Sequence, residues 1–151
     1  MSAEAKVKEL GLELFHVEVP DRPLIPWVRT GNLLYLSGRV PGSGVTGQVG
    51  KDLTTDEGYQ AARDCGVGQL SVLKTALGDL DKVVRVVKVL GMVNTVPGFT
   101  EQPQVINGFS DLMVEVFGDR GRHARSAVGM ASLPGNVPVE VELIVEVAPD
   151  S

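Results

Sequence analysis

The amino-acid sequence predicts an α+β fold, a mixed β-sheet with two helices on one of its faces. Three observations lead there. Segments starting at Thr54 and near Thr100 carry apolar residues at helical spacing and end on glycine. The runs from Leu33, Val83 and Val139 are β-branched or alternating, as strands require. The order of these signals along the chain is strands, helix, strand, helix, strands.

Taken in order, residues 1–22 read as a short helical start (Ala5, Val7, Leu10) followed by an extended arm with Phe15, Val17 and Val19. Pro20, Pro23 and Pro26 stiffen the approach to a first strand, Leu33 to Leu36, which follows a turn at Gly31-Asn32. The glycine-rich stretch from Pro41 to Lys51 reads as a hairpin with a short edge strand around Val45 and Val49. Thr54-Thr55-Asp56-Glu57 fits a capping box, and Leu70, Leu73, Leu77 and Leu80 continue from it as a buried stripe that ends at Gly78-Asp79. Val83 to Leu90 is apolar on both alternating faces, which predicts a central strand covered on each side. A second helix near Thr100, with Pro103 in its first turn, carries Ile106, Phe109, Met113, Val116 and Phe117 and stops at Gly118. A basic loop, residues 119–123, leads into the strand Arg125 to Ser132. The last strand, Val139 to Val147, sets Val139, Val141, Leu143, Val145 and Val147 on one face and Glu140, Glu142, Ile144 and Glu146 on the other. Two helices cover only one sheet face, so the other is expected to be covered by self-association.

At 151 residues with 43% apolar composition, the chain is long enough for one domain with a true core. Mean hydropathy is +0.11, which argues against disorder. The net charge of −5 disfavours nucleic acid, whose binding rests mainly on phosphate neutralisation. One cysteine, Cys65, precludes an internal disulfide or a multi-cysteine zinc site, and no metal is expected. There is no long apolar run and no leader-like start, so a soluble cytoplasmic protein is expected.

Several motifs dissolve on inspection. Gly42-Ser43-Gly44-Val45-Thr46-Gly47 has dinucleotide-loop spacing, but the next helix cap comes only at Thr54, so it reads as a hairpin loop. His16 and His123 are the only histidines, and a two-histidine nuclease site would need both to converge. Cys65 falls inside the first long helix and reads as a small core residue. The positive cluster Arg120, Arg122, His123 and Arg125 stands out in an acidic chain. Arg120 and Arg122 read as a solvated loop, whereas Arg125 opens an apolar strand and should be partly buried. Its guanidinium then needs a partner. Glu140 or Glu142 could simply pair with it; alternatively, an anion-binding arginine stands beside a carboxylate that moves protons.

The block from His123 to Pro134, followed by Val139-Glu140-Val141-Glu142, resembles the signature of the Rid family of reactive-intermediate deaminases, also called YjgF or endoribonuclease L-PSP proteins. Residues 31–38 are similar to the family's early strand and residues 105–109 to its second helix. The resemblance covers residues 26–147 as the family core, with 1–25 as an N-terminal arm of one domain, 1–151. It implies a chorismate-mutase-like fold, a homotrimer with ligand clefts between subunits, and no cofactor. The implied reaction is hydrolytic deamination of small enamine or imine intermediates, such as 2-aminoacrylate, to 2-keto acids and ammonia. By position, Arg125 would clamp the substrate carboxylate and Glu140 would activate water. Ser37, Gly38 and Asn107 would line the pocket, with the Ala127 backbone near the amine. Trp27 is the nearest candidate for the place of the family's pocket tyrosine, offering an indole N–H instead of a phenol. Ala127 replaces a common cysteine, and Arg39 a frequent glutamine. The alternatives are a non-catalytic carboxylate-binding or interaction module of the same fold, and a ribonuclease or translation inhibitor.

Overall fold

Thr54 and Glu57 close the reciprocal cap that their spacing predicts. The Thr54 hydroxyl accepts from the Glu57 amide at 3.1 Å, and the Glu57 carboxylate accepts from the Thr54 amide at 3.0 Å. From this cap, in a computed structural model that describes residues 1–151, helix α2 (Thr55–Leu77) runs to a left-handed Gly78. Leu70, Leu73 and Leu77 are buried along it; Leu80, the fourth residue of the stripe, is buried in a single 3₁₀ turn beyond the helix end. Helix α3 (Gln102–Phe117) begins with Pro103 in its first turn and ends at Gly118. The two helices pack closely at Gly108, where a Cβ would run into the backbone carbonyl of Tyr59. The expected helical start is α1 (Ala3–Glu9), held by Asp81, whose carboxylate accepts from the Ala3 amide at 2.8 Å.

Five strands form one sheet in the order β1-β2-β5-β3-β4: β1 (Trp27–Thr30), β2 (Leu33–Arg39), β3 (Val83–Asn94), β4 (Ala124–Met130) and β5 (Val139–Val147). All neighbours are antiparallel except β3 and β4, the parallel pair joined across α3. The fold class is therefore the α+β arrangement expected, with α2 and α3 on one face. On β5 the five predicted residues are buried beneath them, Val139 to Val147 in alternation.

Three local expectations are corrected. The stretch from Pro41 to Lys51 forms no edge strand; Val49 makes only isolated bridges to Leu53 and Thr95. The turn at Gly31-Asn32 joins two strands, because Trp27–Thr30 pairs with Leu33–Leu36. Within one chain the apolar run of β3 has a layer on one face only. Register shifts near Val84 and Val87 change which residues face the helices, and Val84 is left 42% exposed. The strand also runs on to Asn94, because Gly91 leaves room for Ile106 of α3, which a Cβ would meet at 2.6 Å.

The second sheet face carries Glu140, Glu142, Ile144 and Glu146, with Val28, Tyr35 and Val128 exposed among its neighbours. No helix of the chain packs on it. No helix is long and apolar enough to cross a membrane.

Candidate functional site

The sequence-predicted site residues fall into two clusters. The first lies at the β4 edge. Arg125 pairs with Val89 across the parallel ladder, and Val89 pairs with the buried Leu143, so Arg125 faces the helices. Ala127, two residues on and opposite Gly91, shares that face. Close packing of α3 over Gly91 brings Asn107 to the arginine: Arg125 Nη1 donates to Asn107 Oδ1 at 2.9 Å and to Ser110 Oγ at 3.1 Å. Asn107 and Ser110 are three residues apart on one helix, hence on one side of it. Ser110 Oγ in turn lies 2.9 Å from His123 Nε2, and His123 Nδ1 lies 2.6 Å from the Gly121 carbonyl.

The guanidinium is half-buried and joins none of the chain's ion pairs. Burial pulls its pKa down from the usual arginine value, against the opposing charge of Asp111, yet an arginine stays protonated throughout the working range. A partly desolvated, permanently positive fork without a counter-ion is what a carboxylate receptor requires. Both hydrogen bonds use Nη1, so Nη2 and Nε remain free to grip two oxygens side by side.

The second cluster sits on the other side of the sheet. The β2–β5 register shifts between Leu36 and Arg39, leaving a bulge at Ser37-Gly38. There the Glu140 carboxylate lies over Gly38, and a Cβ at that position would run into Oε2 and push the glutamate aside. Ser37 is tied down by its hydroxyl, which donates to the Ile25 carbonyl at 2.7 Å. A residue that sequence reasoning missed secures the bulge from below. Gln69 of α2 is fully buried, and its Nε2 donates to the Ser37 and Val141 carbonyls, both at 2.9 Å. Gln69→Leu is expected to leave both carbonyls dry, costing about 1–3 kcal/mol for each, a loss measurable by urea denaturation. A cavity of about 330 Å³ opens beside this cluster between the arm and α2, lined by Ile25, Pro26, Ser37, Gly38 and Gln69.

Within one chain the two clusters do not meet. Glu140 neighbours Met92 and Val128 on the open face, whereas Arg125 points to the helix face, with β3 between their strands. Neither Glu140 nor Glu142 pairs with Arg125, because strand register puts them on opposite sides. Trp27 joins neither cluster; it pairs with Leu36 and packs against the core at the β1 edge, the far side of the sheet from β4.

The remaining candidates resolve simply. Cys65 is buried with Sγ 3.8 Å from the Val139 carbonyl, and burial drives its thiol pKa far up, so it is a core residue. His16 and His123 have separate surroundings: the former faces Glu18 in the arm, the latter Ser110. Arg120 is not a free loop residue; it donates to the Val83 carbonyl at 2.7 Å and stacks over Phe117. Arg39 lies over the Phe15 ring, 5.5 Å from its centroid.

Comparison with known proteins settles the ancestry. The family described as "YjgF/chorismate_mutase-like, putative endoribonuclease" matches residues 4–147. The chain belongs to the YjgF/Rid family. Among its relatives, Protein TCP17 of Trypanosoma cruzi is 46% identical over 147 residues, covering 94% of this chain and 92% of that one. The YjgF/Rid fold is equally plain in solved structures. Protein Atu1372 of Agrobacterium tumefaciens is 47% identical with a TM-score of 0.85, covering 96% of this chain and 91% of its own. A Shewanella oneidensis protein, named a "putative endoribonuclease", is 31% identical with a TM-score of 0.91 and covers 97% of this chain and all of its own.

Proposed function

We propose that the protein hydrolyses small enamine and imine intermediates bearing a carboxylate, such as 2-aminoacrylate, to 2-keto acids and ammonia. It does so as a homotrimer in clefts between subunits. One observation carries this reading: Arg125 is pinned through Nη1 alone and keeps the rest of its fork free, in a chain of net charge −5. The open sheet face, with Val28, Tyr35 and Val128 exposed, is the surface that self-association would cover. Self-association over this face and the adjoining β4 edge would set the Glu140–Gly38 cluster of one subunit beside the Arg125 cluster of another, and so assemble the two halves that one chain keeps apart.

The chemistry needs little else. Protonation at carbon converts the enamine into its imine. Water adds to the imine carbon as Glu140 takes its proton. The carbinolamine then collapses: nitrogen takes the proton held by Glu140, the C–N bond breaks to release ammonia, and the hydroxyl oxygen closes to the keto C=O as its own proton passes to Glu140, which returns to solvent the proton first taken up at carbon. Arg125 supplies orientation by holding the carboxylate, and the Ala127 backbone and Asn107 flank the reacting end. Ser37 and Gly38 shape the wall under Glu140.

The test is a coupled assay. A serine or threonine dehydratase releases enamine, and semicarbazide competes to trap it. The protein is expected to accelerate keto-acid formation and suppress the trapped product. RNA cleavage at constant specific activity, with no effect on the trap, would contradict the reading.

A further inference from the structure

We propose that Ser110 and His123 are positioning residues that hold the Arg125 guanidinium in its carboxylate-gripping orientation, through a relay from Arg125 Nη1 to Ser110 Oγ to His123 Nε2. The inference rests on the reading of Arg125 as the carboxylate clamp and names two residues that set its affinity.

The relay follows from donor and acceptor roles. Gly121 offers His123 only a carbonyl, so the Nδ1 atom 2.6 Å away carries the proton and neutral Nε2 keeps a lone pair. Ser110 Oγ, 2.9 Å from that lone pair, therefore donates its single hydrogen to it. A serine hydroxyl otherwise rotates freely about its C–O bond. With its hydrogen committed to His123, its own lone pair stays turned towards Arg125 Nη1, 3.1 Å away. Asn107 takes the other Nη1 proton at 2.9 Å, and the fork is fixed in both plane and direction. The Gly121 carbonyl is itself held in place: that residue packs so tightly on α3 that a Cβ would run into the Met113 carbonyl.

The relay requires neutral His123. Burial lowers the imidazole pKa; the Gly121 hydrogen bond opposes this, and the Arg125 charge lowers it further. Among the other charged groups on the surrounding elements, Asp111 acts on Arg125 by its charge, Lys88 of β3 donates to Ser126 Oγ at 3.4 Å, and Arg120 pairs with Asp81. Asp111 of α3 accepts from the Tyr59 hydroxyl at 2.7 Å, Glu115 pairs with Arg63 of α2, and Arg85 of β3 donates to the Arg122 carbonyl. Arg122 itself is exposed. Protonating His123 puts a second cation on the Ser110 oxygen and releases the arginine, so the grip weakens as pH falls through the imidazole pKa.

The experiment measures binding of 2-ketobutyrate by calorimetry alongside KM in the trap assay. Ser110→Ala and His123→Phe are expected to raise both Kd and KM about tenfold, with the loss falling on KM rather than kcat. His123→Gln keeps an acceptor for the Ser110 proton and cannot ionise. It is expected to restore neutral-pH affinity and to abolish the rise in KM expected of the native protein as pH falls through the lowered imidazole pKa. Native affinity in both Ser110→Ala and His123→Phe, with binding lost in Arg125→Ala, overturns the relay and leaves the clamp standing. The same holds if His123→Gln keeps the native acid limb. Native affinity in Arg125→Ala overturns the clamp and the relay together.

Discussion

Arg125→Ala is expected to lower kcat/KM for 2-aminoacrylate hydrolysis by roughly 10²-fold or more, and to leave the fold intact. Truncating one partner of a hydrogen-bonded charge pair in a desolvated site costs about 2–5 kcal/mol, and each 1.36 kcal/mol is about tenfold in rate. The structural loss is small by comparison. Arg125 is only half-buried, and its two protein hydrogen bonds go to Asn107 and Ser110 at the margin of α3. Arg125→Lys is expected to fall between the native protein and the alanine variant. Lysine keeps the charge but cannot present two parallel N–H groups to a carboxylate while a third contact holds it to Asn107. The coupled dehydratase assay reads both variants, and thermal denaturation separates loss of activity from loss of fold.

Gly108→Ala is expected to be the most damaging single-carbon change to the fold. A Cβ at this position would run into the Tyr59 carbonyl and come within 3.1 Å of the Arg63 amide. Both are backbone atoms of α2 and cannot rotate away. Overpacking of this kind typically costs 1–3 kcal/mol, and here the helices themselves must separate, so about 3 kcal/mol is expected even after alanine's better helix propensity. For a chain of this length that lowers Tm by roughly 6–12 °C. Asn107 and Ser110 flank the position, so the variant should also bind carboxylates less tightly than its residual stability implies. Gly42→Ala is the control: its Cβ would meet nothing closer than the Asp64 carboxylate at 4.0 Å, and no change in Tm is expected.

Much of this architecture is legible in local sequence. The Thr54–Glu57 cap, the alternation of β5 and the glycine stops at Gly78 and Gly118 each follow from chemistry within a few residues. Arg125 is legible for a similar reason: a cation opening an apolar strand demands a partner. Its partners were not. Asn107 and Ser110 lie a helix away in sequence, and only the spacing between α3 and β4, set by Gly91 and Ile106, brings them to the guanidinium. That Arg125 and Glu140 face opposite ways was equally hidden, because it depends on β3 pairing with both of their strands. Gln69 looks like one more polar residue in a long helix until the β2–β5 bulge exposes two carbonyls for it. The setting of Trp27 also depends on distant pairing: opposite Leu36, it packs against the core at the β1 edge.

The account stands or falls on whether one site draws Arg125 and Glu140 from different subunits. Co-expression of Arg125→Ala and Glu140→Gln chains under two affinity tags, with selection of mixed oligomers, tests this directly. Each variant alone should be nearly inactive in the trap assay. In a selected mixed trimer, whichever chain is in the majority, about one site in three joins an intact Arg125 from one chain to an intact Glu140 from another, so roughly a third of native activity should return. Mixed oligomers as inactive as either parent would contradict the shared site.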